Sequence, residues 1–519
     1  MTIETNKFTS LLYADESGRN ASAFLPKIDK SVFGDLHIDQ IIDEIARGYE
    51  EYGLEAYYAR KPAHRGEAEY RLAVTRDLWD DGVRGAFTGF LAGFSLARRY
   101  LKTSVSTHAS PNKEKWKLDA AVEYVKTIDA IRGYAGKPVM SAGLTRFLEW
   151  AKEYAATEKY MTLRESALAL NAKIDAISYS IEIDIANNMV VYGVDGADGD
   201  TGDVCGDLTA TFGRYDLESV NRDIVAFADV NMNALELRLQ EALLSEHKAL
   251  GPALADFHSK HGDIIHENIL TFEKEAHFYI SYIVYSKNLE KKGFPFAIPS
   301  FSDDGTLDVR GGYDASLALL KNSADQIVEN DFQIFKGERS FLLTGPNQGG
   351  KTTFSRMLGQ NIFFAGLGLP VPCREAKIPW AGAIKTHFNV AENPGDDTGR
   401  LKEELTRLKA ILSSTPYGGV VILNELFSSA TALDAVEMAA RVIRLFEKKD
   451  CVCLYITHLH DLTGTGGVVC LAAGMTEGVA PACSYKITRS GSKTNSLAGR
   501  LLAGRKLRSA DIKEKIYGH

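Results

Sequence analysis

A glycine-rich stretch in the C-terminal half limits most tightly what this chain can fold into. Residues 345–353 read Gly-Pro-Asn-Gln-Gly-Gly-Lys-Thr-Thr and fit the phosphate-loop pattern Gly-x-x-x-x-Gly-Lys-Ser/Thr. An apolar run at 340–343 leads in and a helix-compatible run leads out, so a strand–loop–helix unit is predicted. Glycines let successive backbone N–H groups point into one concavity, and the following helix adds the positive end of its dipole. The stretch therefore predicts a nucleotide site.

The residues of this glycine-rich loop (345–353) have expected roles in binding ATP and Mg²⁺. Lys351 should reach the β- and γ-phosphates, which makes it a candidate catalytic residue, and the Thr352 hydroxyl should ligate Mg²⁺. The residues predicted to contact the nucleotide are Gly345, Pro346, Asn347, Gln348, Gly349, Gly350, Lys351, Thr352 and Thr353.

Two further strands are predicted to deliver polar side chains to the same place. The apolar run 419–423 is followed by Asn424 and Glu425, and ligands gather at the carboxyl ends of strands in open α/β sheets. Glu425 is placed to orient or activate the attacking water. Asn424 stands where a P-loop enzyme usually has an Asp, so it should support Mg²⁺ more weakly. The run 452–457 ends at His458, a candidate sensor of the γ-phosphate. The alternative for 424–425 is a polar turn after a core strand, and the alternative for His458 is a structural histidine.

Hydrophobic periodicity divides the chain into a helical part and an alternating part. Helical patterns cover most of 38–52, 67–102, 116–134, 145–176 and 217–292, and such long helices must project, pair or line a cavity. After a proline-containing linker at 293–300, strand-like and helical runs alternate, which predicts a mainly parallel sheet covered by helices. The predicted domains are an N-terminal helical segment (1–55), a helical domain (56–300), an α/β domain (301–490) and a helical tail (491–519) expected to aid dimerisation.

A β-hairpin insertion is predicted at about 178–217 within the helical domain. Residues 180–185 alternate strictly between polar and apolar, and 189–192 are rich in β-formers. The following loop carries four aspartates whose spacing suggests calcium, but the twelfth position counted from Asp195 or Asp198 holds no Glu. An acidic hairpin tip is therefore favoured over a metal site.

Composition and charge narrow the function classes. With 45% hydrophobic and 25% charged residues over 519 positions, the chain has the make-up of a soluble globular protein of several domains. Its formal net charge of −8 argues against one broad nucleic-acid surface, so any DNA contact should be local or enclose the duplex. The sequence has no signal pattern, no apolar run near the roughly 18–20 residues that span a bilayer, and no C-x-x-C pair. A cytoplasmic protein with reduced thiols, without membrane contact or structural zinc, is expected.

Taken together, these motifs resemble the MutS ATPases of the mismatch-repair type, which share the composite-site chemistry of ABC ATPases. The glycine-rich loop is similar to the family's Gly-Pro-Asn-x-Gly-Gly-Lys-[Ser/Thr]-Thr stretch. Segment 371–378 resembles its Val-Pro-Ala segment, 424–434 its Asp-Glu stretch, and 457–462 its Thr-His-Tyr-His-Glu-Leu. Segment 327–332 is similar to the loop that contacts adenine, which adds Ile327 and Asn330 to the expected nucleotide contacts. The resemblance is specific over about 325–505 and weaker over about 55–300.

The resemblance implies an α plus α/β fold, with a long helical core and lever region before a C-terminal P-loop, ABC-like ATPase domain. It implies a homodimer in which each nucleotide lies between one P-loop and the partner's 398–400 region, and in which ATP closure moves helices that clasp DNA. Because nothing before residue 55 resembles the family's mismatch-recognition domain, a trimmed form without that domain or the connector is expected, acting on duplex or branched DNA in repair or recombination. Two departures put the hydrolysis rate in doubt: Asn424 replaces the family's Walker B Asp, and Thr398 is the candidate for the hydroxyl that reaches the partner's γ-phosphate.

Three functions stay open on the sequence alone. The first is an ATP-hydrolysing, dimeric DNA clamp. The second is an ATP-gated dimerisation or binding module with little or no hydrolysis, which Asn424 favours. The third is a transport ATPase subunit, which the absence of a membrane-coupling segment from the sequence disfavours.

Overall fold

The computed structural model describes residues 8–24, 27–106, 111–177, 179–183, 189–193, 249–388, 397–458, 462, 467–476 and 482–490. The chain forms two compact units: a helical unit of residues 1–11 and 77–276, and a sheet unit of residues 12–76 and 277–519. These units group the residues differently from the four domains proposed above, whose boundaries stay predictions. Within the described ranges, no helix is both long and apolar enough to cross a membrane.

Among the described residues, to which all of the following bounds refer, helices dominate the first half of the chain and alternate with strands in the second. The α-helices are α1 (Glu16–Phe24), α2 (Lys30–Asp35), α3 (Ile38–Ala46), α4 (Glu55–Tyr58), α5 (Arg65–Trp79), α6 (Asp81–Ser106), α7 (Pro111–Arg132), α8 (Ala142–Ala155), α9 (Glu158–Asp175), α10 (Leu250–Lys260), α11 (Glu267–Lys291), α12 (Ala315–Leu319), α13 (Lys351–Gly366), α14 (Asp397–Ser414) and α15 (Ala432–Glu447). The strands are β1 (Tyr179–Ile183), β2 (Met189–Gly193), β3 (Ser300–Ser302), β4 (Leu307–Gly312), β5 (Asn330–Ile334), β6 (Ser340–Thr344), β7 (Glu375–Pro379), β8 (Ile384–Phe388), β9 (Val420–Asn424), β10 (Val452–Ile456), β11 (Val468–Met475) and β12 (Cys483–Arg489).

Local side-chain caps divide two of the predicted helical runs. The run 67–102 is split between α5 and α6 because the Asp80 carboxylate accepts hydrogen bonds from the N–H groups of Gly82 and Val83, at 3.0 and 3.1 Å. The run 145–176 is split between α8 and α9, where the Thr157 hydroxyl accepts from the Tyr160 N–H. A side chain that satisfies free amides favours the start of a new helix at that point. Periodicity alone does not register these breaks.

The helical unit has an aromatic core and a short hairpin. The rings of Phe147 and Phe272 stack with centroids 3.6 Å apart, and Phe8 meets Phe147 edge-on at 5.2 Å. The predicted hairpin strands are confirmed: β1 pairs with β2 in antiparallel register, with Tyr179 opposite Gly193. The aspartates of the acidic loop lie outside the described residues.

The predicted mainly parallel sheet is confirmed in the sheet unit. Its six strands lie in the order β12-β11-β6-β10-β9-β8, and every neighbouring pair is parallel except β11 with β12. The central strands are buried along almost their whole length, which explains their continuous apolar sequences. Side chains of β6, β9 and β10 pack against α14 and α15 on one face.

A second, four-stranded sheet was not predicted. Its strands lie in the order β3-β7-β4-β5, and they are short or interrupted by a bulge, so they give little periodic signal. The predicted linker at 293–300 is packed rather than open: Phe294 and Phe296 are buried, and Ala297 bridges to Val371.

The N-terminal segment is part of the sheet unit. The Asp35 carboxylate at the end of α2 accepts from the Thr386 hydroxyl at 2.7 Å and from Arg407 at 3.0 Å. The Leu36 side chain packs so closely on Gly359 of α13 that a Cβ on that glycine would lie 2.6 Å from it. Residues remote in sequence therefore complete the packing around the helix that follows the glycine-rich loop.

Candidate functional site

The main sheet brings the predicted site residues to one edge. β6, β9 and β10 are parallel neighbours whose carboxyl ends lie level, since Ile456 stands opposite both Leu343 and Asn424. The glycine-rich loop, Glu425 and His458 therefore leave the sheet side by side. This is the position at which open α/β sheets bind ligands.

The conformation of the glycine-rich loop explains its glycines. Gly345 has φ +146°, and a Cβ there would lie 2.6 Å from the Cβ of Ala473. Gly350, just before α13, has φ +85°, a value that residues with side chains rarely adopt. Gln348 also has a positive φ, of +62°. The pattern read from the sequence is thus required by the shape of the turn.

Lys351 is held inside the loop that precedes it. Its Nζ donates to the carbonyl oxygens of Gly345 at 3.0 Å and Pro346 at 2.9 Å. Burial lowers the pKa of Lys351, and the nearby charge of Glu425 opposes that shift. An anion in the loop would compete with these two carbonyls for the ammonium group.

Glu425 and His458, predicted as separate site residues, form a pair. His458 Nε2 lies 2.8 Å from Glu425 Oε1, and the two side chains are 43% and 41% exposed. The Glu425 N–H donates to the carbonyl of Ile456 at 2.9 Å, which fixes the start of the turn. A contact of this exposure adds little stability, but it orients the carboxylate. An oriented carboxylate beside a ligand cavity can accept a proton from water.

Asn424 and Thr352 are the residues that could hold a cation. Asn424 Oδ1 is shielded from solvent and has no hydrogen-bond partner among the described residues. Buried oxygens are nearly always bonded, so this atom is suited to a water or ligand. Thr352 lines the cavity beside Lys351. A hydroxyl and an amide oxygen are hard donors of the kind Mg²⁺ takes, together with water and phosphate oxygens.

A cavity of about 650 Å³ opens between the glycine-rich loop and residues 312–330. It is large enough for a nucleotide-sized ligand. Of the sequence-predicted residues, those that line it are Ile327, Asn330, Asn347, Gln348, Gly349, Gly350, Lys351, Thr352, Thr353 and Glu425. Gly345, Pro346, Asn424 and His458 do not line it. Thr398 lies in the first turn of α14, and its side chain is outside the described part of the chain.

One wall of the cavity was missed by sequence reasoning. Tyr485 of β12 lines it, is 50% exposed and has φ +58°. Asn330 holds this strand, because its Nδ2 donates to the Tyr485 carbonyl at 3.0 Å and its Oδ1 accepts from the Ile487 N–H at 2.7 Å. The Asn330 amide is thus engaged by backbone, and its contact with adenine stays a prediction. Tyr485 lies so far along the chain from the loop that no spacing could have identified it.

Comparison with known proteins matches the part of this site that holds the glycine-rich loop, Glu425 and His458. Residues 341–472 fit the family model described as MutS domain V. The DNA mismatch repair protein MutS of Rickettsia felis is 31% identical over 172 residues, and that of Rickettsia prowazekii is 30% identical over 172 residues. Each match covers 33% of this chain and 19% of the relative, so the chain spans about a fifth of the length of the curated relatives it matches.

Proposed function

This chain carries a MutS domain V at residues 341–472, and on that premise we propose that it is an ATPase that closes as a dimer around DNA. The observation that carries the proposal is the cavity itself, in which the glycine-rich loop, Lys351 and Glu425 meet. A glycine-rich turn at a helix N-terminus binds phosphate, and a carboxylate beside it can act on water.

Each end of the cavity has a proposed partner in ATP. Lys351 leaves its two loop carbonyls and bonds the β- and γ-phosphates, while the loop amides bind the remaining phosphate oxygens. Tyr485 and Ile327 form the wall against which the base stacks. The phosphate end is thereby polar and the base end aromatic and apolar.

The hydrolytic step is assigned to the pair Glu425–His458. Glu425 orients water and accepts its proton, and His458 holds the carboxylate through the 2.8 Å contact. Thr352 and Asn424 would hold Mg²⁺, directly or through water. When bound, Mg²⁺ would neutralise the charge that develops on the transferred phosphoryl group. Because the Asn424 oxygen is neutral, turnover is expected to be slow.

Nucleotide binding is tested by calorimetry with a non-hydrolysable ATP analogue. Lys351→Ala should remove measurable affinity, whereas Lys336→Ala, an exposed lysine of the same unit, should keep it. Affinity of Lys351→Ala near that of the wild type would overturn the site assignment. Monomeric behaviour at high protein concentration with the analogue present would overturn the dimer.

DNA as a partner is supported by the names of the relatives, which are DNA mismatch repair proteins. A gel-shift panel of duplex, mismatched, branched and single-stranded DNA tests it, with and without the ATP analogue at fixed salt. We expect duplex or branched DNA to be retained in an ATP-dependent way, without preference for a mismatch. Equal mobility of every DNA with and without protein would remove DNA from the proposal.

The second candidate is an ATP-gated binding module with little hydrolysis. The neutral Asn424 oxygen, which has no hydrogen-bond partner among the described residues, favours it, since a carboxylate would support Mg²⁺ more strongly. Turnover of the wild type separates the two candidates when it is compared with Glu425→Gln. Equal rates would favour the module, and a faster wild type would favour the ATPase.

A further inference from the structure

The turn that carries Glu425 is strained at two places. Glu425 has φ +54° and Phe427 has φ +61°, left-handed values that residues with a Cβ adopt at a cost. Such a turn persists only where surrounding contacts hold it. Leu426 lies between them and is almost fully buried.

In the part of the chain that the structure describes, three hydrogen bonds join the backbone of this turn to the neighbouring elements β10 and α14. From β10, the Ile456 carbonyl accepts from the Glu425 N–H at 2.9 Å, and the Tyr455 hydroxyl reaches the Leu426 carbonyl at 3.5 Å. From α14, the Glu404 carboxylate accepts from the Phe427 N–H at 3.0 Å. The β10 contacts fix the first half of the turn, and the Glu404 contact fixes its end.

We propose that Glu404 is a positioning residue for Glu425: its carboxylate, brought in by α14, holds the Phe427 N–H and keeps the strained turn aimed at the cavity. The inference rests on the proposed function, in which Glu425 acts on water. No part of the nucleotide pattern assigns Glu404 this role, because it does not line the cavity and lies on another element.

The surroundings of Glu404 support a dedicated role. Glu404 is only 6% exposed, and buried carboxylates are uncommon unless they are bonded. Burial raises the pKa of the neighbouring Tyr455 hydroxyl, and the charge of Glu404 adds to that rise. A leucine or methionine would fill this apolar cluster more favourably if packing alone were required.

Two conservative variants separate the reach of the side chain from its charge. Glu404→Gln keeps an acceptor oxygen at the same distance but loses the charge, and Glu404→Asp keeps the charge but falls short by one methylene. Glu404→Ala loses both, and Glu403→Ala is the control, an exposed neighbour on the same helix. For each variant, kcat, the affinity for an ATP analogue, the thermal midpoint and hydrogen exchange at the Phe427 amide are measured.

We expect Glu404→Asp and Glu404→Ala to lower kcat by at least about tenfold, part of the range that a displaced general base accounts for. Analogue affinity should change by less than about threefold, because the phosphate-binding loop is untouched. The Phe427 amide should exchange faster in both variants. Glu404→Gln and Glu403→Ala should keep kcat and the protection of that amide near wild type.

The outcomes distinguish this proposal from the proposed function. If Glu404→Asp and Glu404→Ala keep wild-type kcat and Phe427 protection, the positioning role is wrong. If kcat and affinity fall together with the thermal midpoint, Glu404 is structural, and the inference also fails. If the wild type binds the analogue without turnover, hydrolysis fails, and the exchange of the Phe427 amide still decides whether Glu404 holds the turn.

Discussion

Replacing Asn424 with Asp tests whether this position faces a cation. The substitution exchanges an amide for a carboxylate of nearly the same size, so packing stays as it is. Asn424 Oδ1 has no hydrogen-bond partner in the described ranges, so the substitution breaks no hydrogen bond at this oxygen. Hydrogen bonds to charged groups contribute about 1.5–3 kcal/mol, against about 0.5–1.5 kcal/mol for neutral ones. The gain of about 1–1.5 kcal/mol corresponds to roughly tenfold tighter Mg²⁺ binding.

Without bound metal, the same substitution should destabilise the fold. A carboxylate at Asn424 would then be shielded from water next to Glu425, at a cost of about 1–3 kcal/mol in unfolding free energy. We therefore expect Asn424→Asp to lower the thermal midpoint in EDTA and to recover it with Mg²⁺ and an ATP analogue. Turnover should rise with the tighter metal, because Mg²⁺ would be held at lower concentrations.

Calorimetric titration of Mg²⁺ into the protein with the analogue measures the first effect, and thermal unfolding with and without EDTA measures the second. Asn288→Asp is the matched control, since it adds the same charge at an exposed position of the sheet unit. Unchanged Mg²⁺ affinity in Asn424→Asp, within about twofold, would refute the reasoning that Asn424 supports the metal.

Three further predictions concern the rest of the sheet unit. His387 is 2% exposed, and burial, aided by Arg407, lowers its pKa to about 4. The folded pKa of His387 lies below its unfolded value, so the stability that this histidine contributes is present above about pH 6.5 and is lost as the pH falls towards 4. Urea unfolding should therefore show that the unfolding free energy falls by about 2 kcal/mol between pH 7 and 4.5. This loss should be absent in His387→Gln. Tyr485→Ala should weaken analogue binding by about 1–3 kcal/mol in calorimetry, whereas Tyr485→Phe should keep the affinity, because stacking requires the ring and not the hydroxyl. Gln360 is fully buried and donates to the Leu36 carbonyl at 2.9 Å and to the Asp314 carboxylate at 2.7 Å. Its Oε1 accepts from the Ala315 N–H at 2.8 Å. Chemical denaturation should therefore show that Gln360→Leu lowers the unfolding free energy by roughly 3 kcal/mol or more.

A structural feature of this protein can be predicted from the sequence when a contiguous run of residues determines it. The glycine-rich loop, β9 and β10 were predictable because each is a contiguous run. Glycines indicate the turn, and an apolar run that ends in polar residues indicates a buried strand with a polar carboxyl end. The pairing of His458 with Glu425 followed only once the parallel register was known. The breaks at Asp80 and Thr157 were missed because one hydrogen-bonding side chain outweighed a continuing helical period.

Most of the cavity wall opposite the glycine-rich loop, apart from Ile327 and Asn330, escaped prediction for a different reason. That wall combines residues of the 312–330 segment with Tyr485 of β12, which is held through Asn330 on a strand of the other sheet. Its floor depends on Asp314, which caps α12 and is tied by Gln360 to the backbone of Leu36. The contacts of Asn330 with β12 and of Gln360 with Leu36 and Asp314 have no sequence period, since they join segments far apart in the chain. The conformation of the glycine-rich loop is thus determined by one short motif, whereas the shape of the cavity opposite it is a property of the folded sheet unit, including its N-terminal segment.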